Sequence, residues 1–184
     1  RNHMQISICG TPGSGKSTVA KIIADKLKYK YYSVGALRRK MAEKRGLTIY
    51  EFNQLKEDTD TEFDNIQKKI GEKEDNFVIE GRLSFHFVPK SLKFFFKSDM
   101  GKAAERVFKD QRSSEKKYNN IEEARKEMQE RMDNDKRRYK MHYKLDPYNE
   151  KQFDYVIDTT EISIEEVVDK VMKTIDWESG KSTD

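Results

Sequence analysis

The stretch Gly10-Thr11-Pro12-Gly13-Ser14-Gly15-Lys16-Ser17 satisfies the G-x-x-x-x-G-K-[ST] rule of a phosphate-binding loop and constrains the chain more than any other feature. The rule has physical content. Its glycines let the backbone curl until successive N–H groups point at phosphate oxygens. A helix starting inside the loop, near Lys16, adds the positive end of its dipole and brings Thr18 close behind. Lys16 places an ammonium on the outer phosphates, and the Ser17 hydroxyl can complete a Mg²⁺ shell beside waters and phosphate oxygens. Context supports the motif. Gln5 to Cys9 alternates and is Ile-rich, which predicts a strand entering the loop; Val19, Ile22, Ile23 and Leu27 then recur at helical spacing. Gly180-Lys181-Ser182 repeats the last three letters, but Ile175 stands where the first glycine should be, so that copy is chance.

Downstream, apolar runs alternate with helical patterns. Tyr29 to Ser33, Phe77 to Ile79, Leu92 to Phe96 and Phe153 to Ile157 read as further strands. Helices are predicted over about 99–112, 121–143 and 164–175, the long one with Ile121, Ala124, Met128, Met132 and Tyr139 on its apolar side. Between Gly35 and Gly71 the pattern is helical and mostly polar, with Leu37, Met41, Phe52, Leu55, Phe63, Ile66 and Ile70 facing inward. Ser113 to Asn120 has no apolar period and reads as a mobile loop, and the end from Glu178 reads as frayed. Strands alternating with helices imply an α/β fold with a parallel sheet covered on both faces. The expectation is one domain over residues 4–177, with 178–184 as a tail. Arg1, Asn2 and His3, ahead of Met4, are set aside as a remnant outside the fold.

Composition narrows the function classes. Lys and Arg number 37 against 33 Asp and Glu, and so small an excess fits a solvated surface better than a nucleic-acid footprint. No stretch has the apolar length of a membrane span. The lone Cys9 forms no internal disulfide, which fits a reducing cytoplasm. His86 and His142 read as surface or packing residues, with no metal assigned to them.

Many phosphate-loop proteins hydrolyse their nucleotide, so the question becomes what accepts the phosphoryl group. Arg82 directly follows Glu80-Gly81 at the carboxyl end of a predicted strand, where open α/β sheets place ligands. Arg39 follows Gly35 by four residues. Arg131, Asp135 and Arg138 are spaced i, i+4, i+7, which puts them on one helix face. Taken alone, that trio reads better as an exposed ion-pair ladder. Several arginines beside a phosphate loop suit transfer between two anionic nucleotides, where positioning and charge neutralisation do the chemistry.

These residues carry a resemblance. The chain from Met4 to about Trp177 resembles the cytidylate kinases, in particular the short form of archaea and some bacteria, within the P-loop nucleoside monophosphate kinases. The landmarks are the phosphate loop; Ser33-Val34-Gly35 with Arg39; Met41-Ala42-Glu43-Lys44-Arg45-Gly46; Glu80-Gly81-Arg82-Leu83; Glu105-Arg106; Arg131, Asp135 and Arg138; and Tyr155-Val156-Ile157-Asp158-Thr159. The resemblance implies a three-layer P-loop NTPase fold with a five-stranded parallel sheet, a helical insertion for the nucleoside monophosphate over about 34–75, and a short helical lid over about 112–138. It implies ATP and Mg²⁺ at Gly10 to Thr18. Arg39 and Arg82 would grip the α-phosphate of CMP or dCMP, Arg131 and Arg138 would bridge donor and acceptor, and Asp135 would orient them or touch the acceptor. Ser33 and Gly35 would lie against the acceptor, and Asp64 would read its base. The chain departs from the family at Asp110, where an arginine is common and Arg112 could substitute, and at Lys144-Leu145-Asp146-Pro147, which replaces a glycine-containing turn. The large insertion of longer bacterial members is missing.

Other readings carry their own signatures. AMP, UMP or a shikimate-like metabolite as acceptor would leave the same loop and arginines. A GTPase switch calls for Asn-Lys-x-Asp and Asp-x-x-Gly, and neither occurs. A nucleic-acid binder calls for a basic stripe interleaved with aromatics; Tyr29 to Tyr32 is the one such cluster and reads better as a strand.

Overall fold

Each predicted apolar run becomes a strand, and each strand lies parallel to its neighbours. A computed structural model describes residues 3–55, 58–110 and 117–181, with the backbone alone at residue 50. Strands β1 (Gln5–Gly10), β2 (Lys30–Ser33), β3 (Phe77–Glu80), β4 (Leu92–Lys97) and β5 (Tyr155–Asp158) form one sheet in the order β2-β3-β1-β4-β5. The register aligns their carboxyl ends: Ser33 and Ile8 both lie opposite Glu80, and Gly10 lies opposite Phe96.

Both faces of the sheet are covered, as parallel strands require. On one, Ile6, Ile8, Val78, Phe94 and Phe96 meet Val19 and Ile23 of α1 (Lys16–Leu27) and Val167, Val171 and Ile175 of α8 (Ile164–Lys181). On the other, Phe77 and Ile79 pack against Ile70 of α4 (Asp60–Lys73) and Val88. Beside them Phe85 and Phe87 of α5 (Ser84–Phe87) pack with Leu83 and with Tyr139 of α7 (Ile121–Tyr143). Two satellite cores complete the set. Ala103 and Ala104 of α6 (Met100–Lys109) meet Ala124 and Met128 of α7. Ala42 of α2 (Val34–Lys44), Phe52 of α3 (Ile49–Asn53) and Phe63 of α4 form the other, so the polar 35–71 region has a small core of its own.

Several expectations are corrected. The C-terminal helix does not fray at Glu178 but continues to Lys181, because Glu178 accepts a hydrogen bond from Tyr155 Oη and pairs with Lys181 at 3.5 Å. The helix expected over 99–112 ends at Lys109 with Asp110 as its cap; Arg112 lies outside the described residues. Ile121, expected on the apolar face of α7, is 39% exposed, since the contact with α6 begins one turn later at Ala124. Of the Ser113–Asn120 loop, residues 113–116 lie outside the described residues. Its end caps α7: Glu123 N–H donates to Asn120 Oδ1 at 2.8 Å and Asn119 N–H donates to Glu123 Oε2 at 3.0 Å. Four-residue α5 gave no period to read.

Candidate active site

The loop from Gly10 to Gly15 joins β1 to α1, and its shape follows from close contacts. Thr11 N–H donates to the Phe96 carbonyl at 3.0 Å, and Ser98 N–H donates to Thr11 Oγ1 at 3.1 Å, which ties the loop to the end of β4. Thr159 Oγ1 donates to the Ser14 carbonyl at 3.1 Å, while Arg106 donates to the carbonyls of Thr159 and Thr160, both at 2.9 Å. Pro12 is buried beneath the turn and Thr18 is exposed on α1. Gly13 adopts φ +71°, and a Cβ there would stand 2.9 Å from Ala103 Cβ. Gly13→Ala is therefore expected to cost about 2 kcal/mol or more of stability from the left-handed strain alone. Urea unfolding of the two proteins measures it.

Gly15 begins α1 without a side chain to cap it. The first-turn N–H groups, which have no partner inside a helix, are thus left for an anion. Lys16 and Ser17 stand at that end and line a cavity of about 210 Å³. Burial lowers the Lys16 pKa, and the carboxylate of Glu80 works against that shift. Glu80 ends β3, is 5% exposed, and has an Oε2 with no hydrogen-bond partner. A buried carboxylate oxygen left open beside an ammonium and a hydroxyl is a costly arrangement unless a ligand or cation uses it.

Arginines from three segments line much of the rest of the cavity. Gly35 and Arg39 come from α2, Arg82 from the turn after β3, and Arg131, Arg138 and Tyr139 from α7. Gly81 permits the turn: a Cβ there would stand 2.6 Å from Ser84 Oγ and 2.8 Å from Val34 Cγ2. Arg82 Nε pairs with Asp135 Oδ2 at 2.9 Å, and Tyr148 Oη donates to the same oxygen at 2.9 Å. Burial alone would lower the Arg82 pKa, but Asp135 outweighs it and the guanidinium is held charged. Arg138 donates to Tyr139 Oη at 2.7 Å, with Nε 3.8 Å from Asp60 Oδ2, too far for a hydrogen bond.

The arginines and Asp135 expected from the sequence thus converge, with two adjustments. Asp135 pairs directly with Arg82 and reaches its helix neighbour Arg138 through its charge alone, and its burial excludes an exposed ion-pair ladder. Ser33 caps α2, accepting from Ala36 N–H at 3.2 Å, and is not among the residues lining the cavity. Asp64 lines it and accepts a hydrogen bond from Tyr143 Oη. Arg38, adjacent to Arg39, is consumed structurally: it pairs with Asp60 at 3.0 Å and lies over the Phe63 ring at 5.0 Å. Sequence reasoning missed Glu80 and Tyr148 as parts of this site, together with Gln67. Only Glu80 left a signal, a carboxylate closing an apolar strand beside the loop.

This sheet order, with a glycine turn feeding α1 at the carboxyl ends of the strands, defines a P-loop NTPase fold. Solved structures agree on the fold. Shikimate kinase from Bacteroides thetaiotaomicron superimposes with a TM-score of 0.65 at 16% identity, covering 95% of this chain and 99% of that one. Residues 5–161 match the model of the cytidylate kinase-like family, and the chain belongs to that family. It is 37% identical over 177 residues to a cytidylate kinase of Archaeoglobus fulgidus, covering 94% of this chain and 95% of the relative. A cytidylate kinase of Methanocaldococcus jannaschii is 35% identical over 183 residues, covering 94% and 98%.

Proposed function

We propose that this protein transfers the γ-phosphoryl group of ATP to CMP or dCMP, giving ADP and the corresponding diphosphate. One observation carries the reading: a single cavity joins the head of α1 to five arginines drawn from three other segments. A hydrolase needs room for water at that point. A transferase needs a second anion site.

The incoming nucleophile is a phosphate oxygen of the acceptor, already anionic at neutral pH, so no general base is needed. The work lies in holding two mutually repelling anions in line. In this reading Gly10 to Thr18 hold the donor, with Lys16 on its outer phosphates. Arg39 and Arg82 hold the acceptor phosphate, and Arg131 and Arg138 neutralise the charge passing between the two. Asp135 and Tyr148 keep the Arg82 guanidinium aimed. Gly35 lets the acceptor approach α2, and Asp64 stands ready for its base.

The residues present also fit Mg²⁺. An ion in this reading is held chiefly by nucleotide oxygens and water. Ser17 and the open oxygen of Glu80 would hold its shell, and the ion would supply further neutralisation of the outer phosphates.

In this reading the insertion over about 34–75 holds the acceptor and the segment over about 112–138, of which 112–116 lie outside the described residues, serves as the lid, with closure excluding water. No helix among the described residues is long and apolar enough to cross a membrane. We place the reaction in the cytoplasm, with no nucleic-acid partner. Cys9 takes no part: burial pushes its thiol up to about 12.

An ADP-release assay with ATP against CMP, dCMP, UMP, AMP and shikimate tests the reading. CMP or dCMP should turn over with the highest kcat/KM. If both are inert while another acceptor reacts, the substrate assignment is wrong.

A further inference from the structure

Two arginines of the cavity are held unequally. Arg82 has the Asp135 carboxylate at 2.9 Å, backed by Tyr148. Arg138, three residues along α7 from Asp135, is only partly placed. It donates to Tyr139 Oη at 2.7 Å and its guanidinium lies over the Tyr139 ring at 4.8 Å, but its Nε is buried with no hydrogen-bond partner. A buried N–H left open costs stability unless another state of the protein uses it.

The group facing that Nε is Asp60 Oδ2, at 3.8 Å. Asp60 opens α4, and its other oxygen is engaged: Arg38 Nη1 donates to Oδ1 at 3.0 Å. Arg38 is fixed in turn, donating to Asn53 Oδ1 at 2.8 Å and lying over the Phe63 ring at 5.0 Å. The carboxylate is thus anchored through one oxygen and open toward α7 through the other. Burial alone would lower the Arg138 pKa, and Tyr139 and then Asp60 reverse that, so the attraction already acts across the gap. A movement of about 1 Å brings the two atoms to the roughly 2.8 Å of a charge-assisted hydrogen bond.

The fold gives that movement a source. Phe63, in the first turn of α4, shares a small core with Ala42 of α2 and Phe52 of α3, so the head of α4 travels with α2 and its Arg39. Farther along α4, Ile70 is packed on Phe77 and Ile79 of the sheet and stays behind. We propose that Asp60 is a positioning residue for the transfer: an acceptor phosphate gripped between Arg39 and Arg82 draws α2 inward, and Asp60 Oδ2 then closes on Arg138 Nε and sets that guanidinium against the phosphoryl group in transit. This rests on the phosphoryl-transfer reading above and adds to it a link between acceptor arrival and the aim of Arg138. Acceptor binding is thereby used to complete the site, and without acceptor Arg138 stays unaimed.

Steady-state kinetics of the wild type, Asp60→Asn, Arg138→Met and the double variant test the role, with thermal melts beside them. Asparagine keeps the size and leaves an amide oxygen for Arg38, but offers Arg138 no charge. Asp60→Asn should lower kcat about tenfold while the KM for ATP stays within about twofold. Arg138→Met should lower kcat about a hundredfold, and adding Asp60→Asn to it should change kcat by less than about twofold, because the contact is already gone. An Asp60 that served Arg38 alone would give losses that multiply in the double variant. A crystal structure of the wild type with CMP and a non-hydrolysable ATP analogue depends on no variant, and should show Nε and Oδ2 about 2.8 Å apart. Asp60→Asn or Arg138→Met as fast as the wild type, losses that multiply, or a pair still 3.8 Å apart with both nucleotides bound overturns the role of Asp60 and leaves phosphoryl transfer to CMP standing. A wild type that phosphorylates neither CMP nor dCMP overturns both.

Discussion

Replacing Lys16 with alanine is expected to lower kcat by about a hundred- to thousandfold, the scale on which one preorganised charge at the transition state is valued. The expectation follows from where the ammonium sits. Lys16 is in the first turn of α1, at the cavity, with burial lowering its pKa and Glu80 resisting the shift. Such a charge is preorganised rather than solvated. The substitution should spare the fold, since alanine is the best helix former and the core residues of α1 begin at Val19. Lys16→Ala should therefore melt within a few degrees of the wild type while turning over far more slowly. Steady-state kinetics beside a thermal melt separates the two effects. Near-normal turnover would remove Lys16 from the donor site.

Arg82→Ala should lose about a hundredfold or more in kcat/KM measured against the acceptor, with little change against ATP. It should also lose stability. Asp135 is 5% exposed and its Oδ2 holds both Arg82 and Tyr148. Removing one partner of a buried pair costs about 3–5 kcal/mol, because the remaining charge stays desolvated, and the Tyr148 hydroxyl offsets only part of that. Asp135→Asn is the companion variant. It keeps the shape, leaves Arg82 in place but less firmly aimed, and should lose less activity than Arg82→Ala. Acceptor kinetics that are unchanged in Arg82→Ala would place the acceptor phosphate elsewhere.

The phosphate loop and the sheet were legible because their physics is local. A glycine-rich turn between an alternating run and a helical period admits few structures, and the runs ending at Cys9, Ser33, Ile79, Phe96 and Ile157 each became a strand of the expected sheet. The arginines were legible for a different reason: charge at a strand tip or repeated on one helix face is expensive, so it is informative. What escaped the sequence were relations between distant segments. Nothing local links Tyr148 to Asp135, or Ser84 to Gln67, though each pair shares a hydrogen bond in the fold. A serine beside Gly35 fits both an acceptor contact and a helix cap as a letter, and the hydrogen bond the fold gives it is the cap of α2. Arg38 and Arg39 were indistinguishable as letters. Packing of Arg38 against Phe63 and Asp60 separates them.

The central claim is that the cavity beside α1 holds a second anion, so that the phosphoryl group moves between nucleotides and not to water. Incubation with ATP labelled in the γ-phosphoryl group and with unlabelled CMP tests it most directly. The label should appear in CDP, with free phosphate formed slowly and no faster when CMP is present. Label recovered chiefly as free phosphate, at a rate indifferent to CMP, would contradict the account.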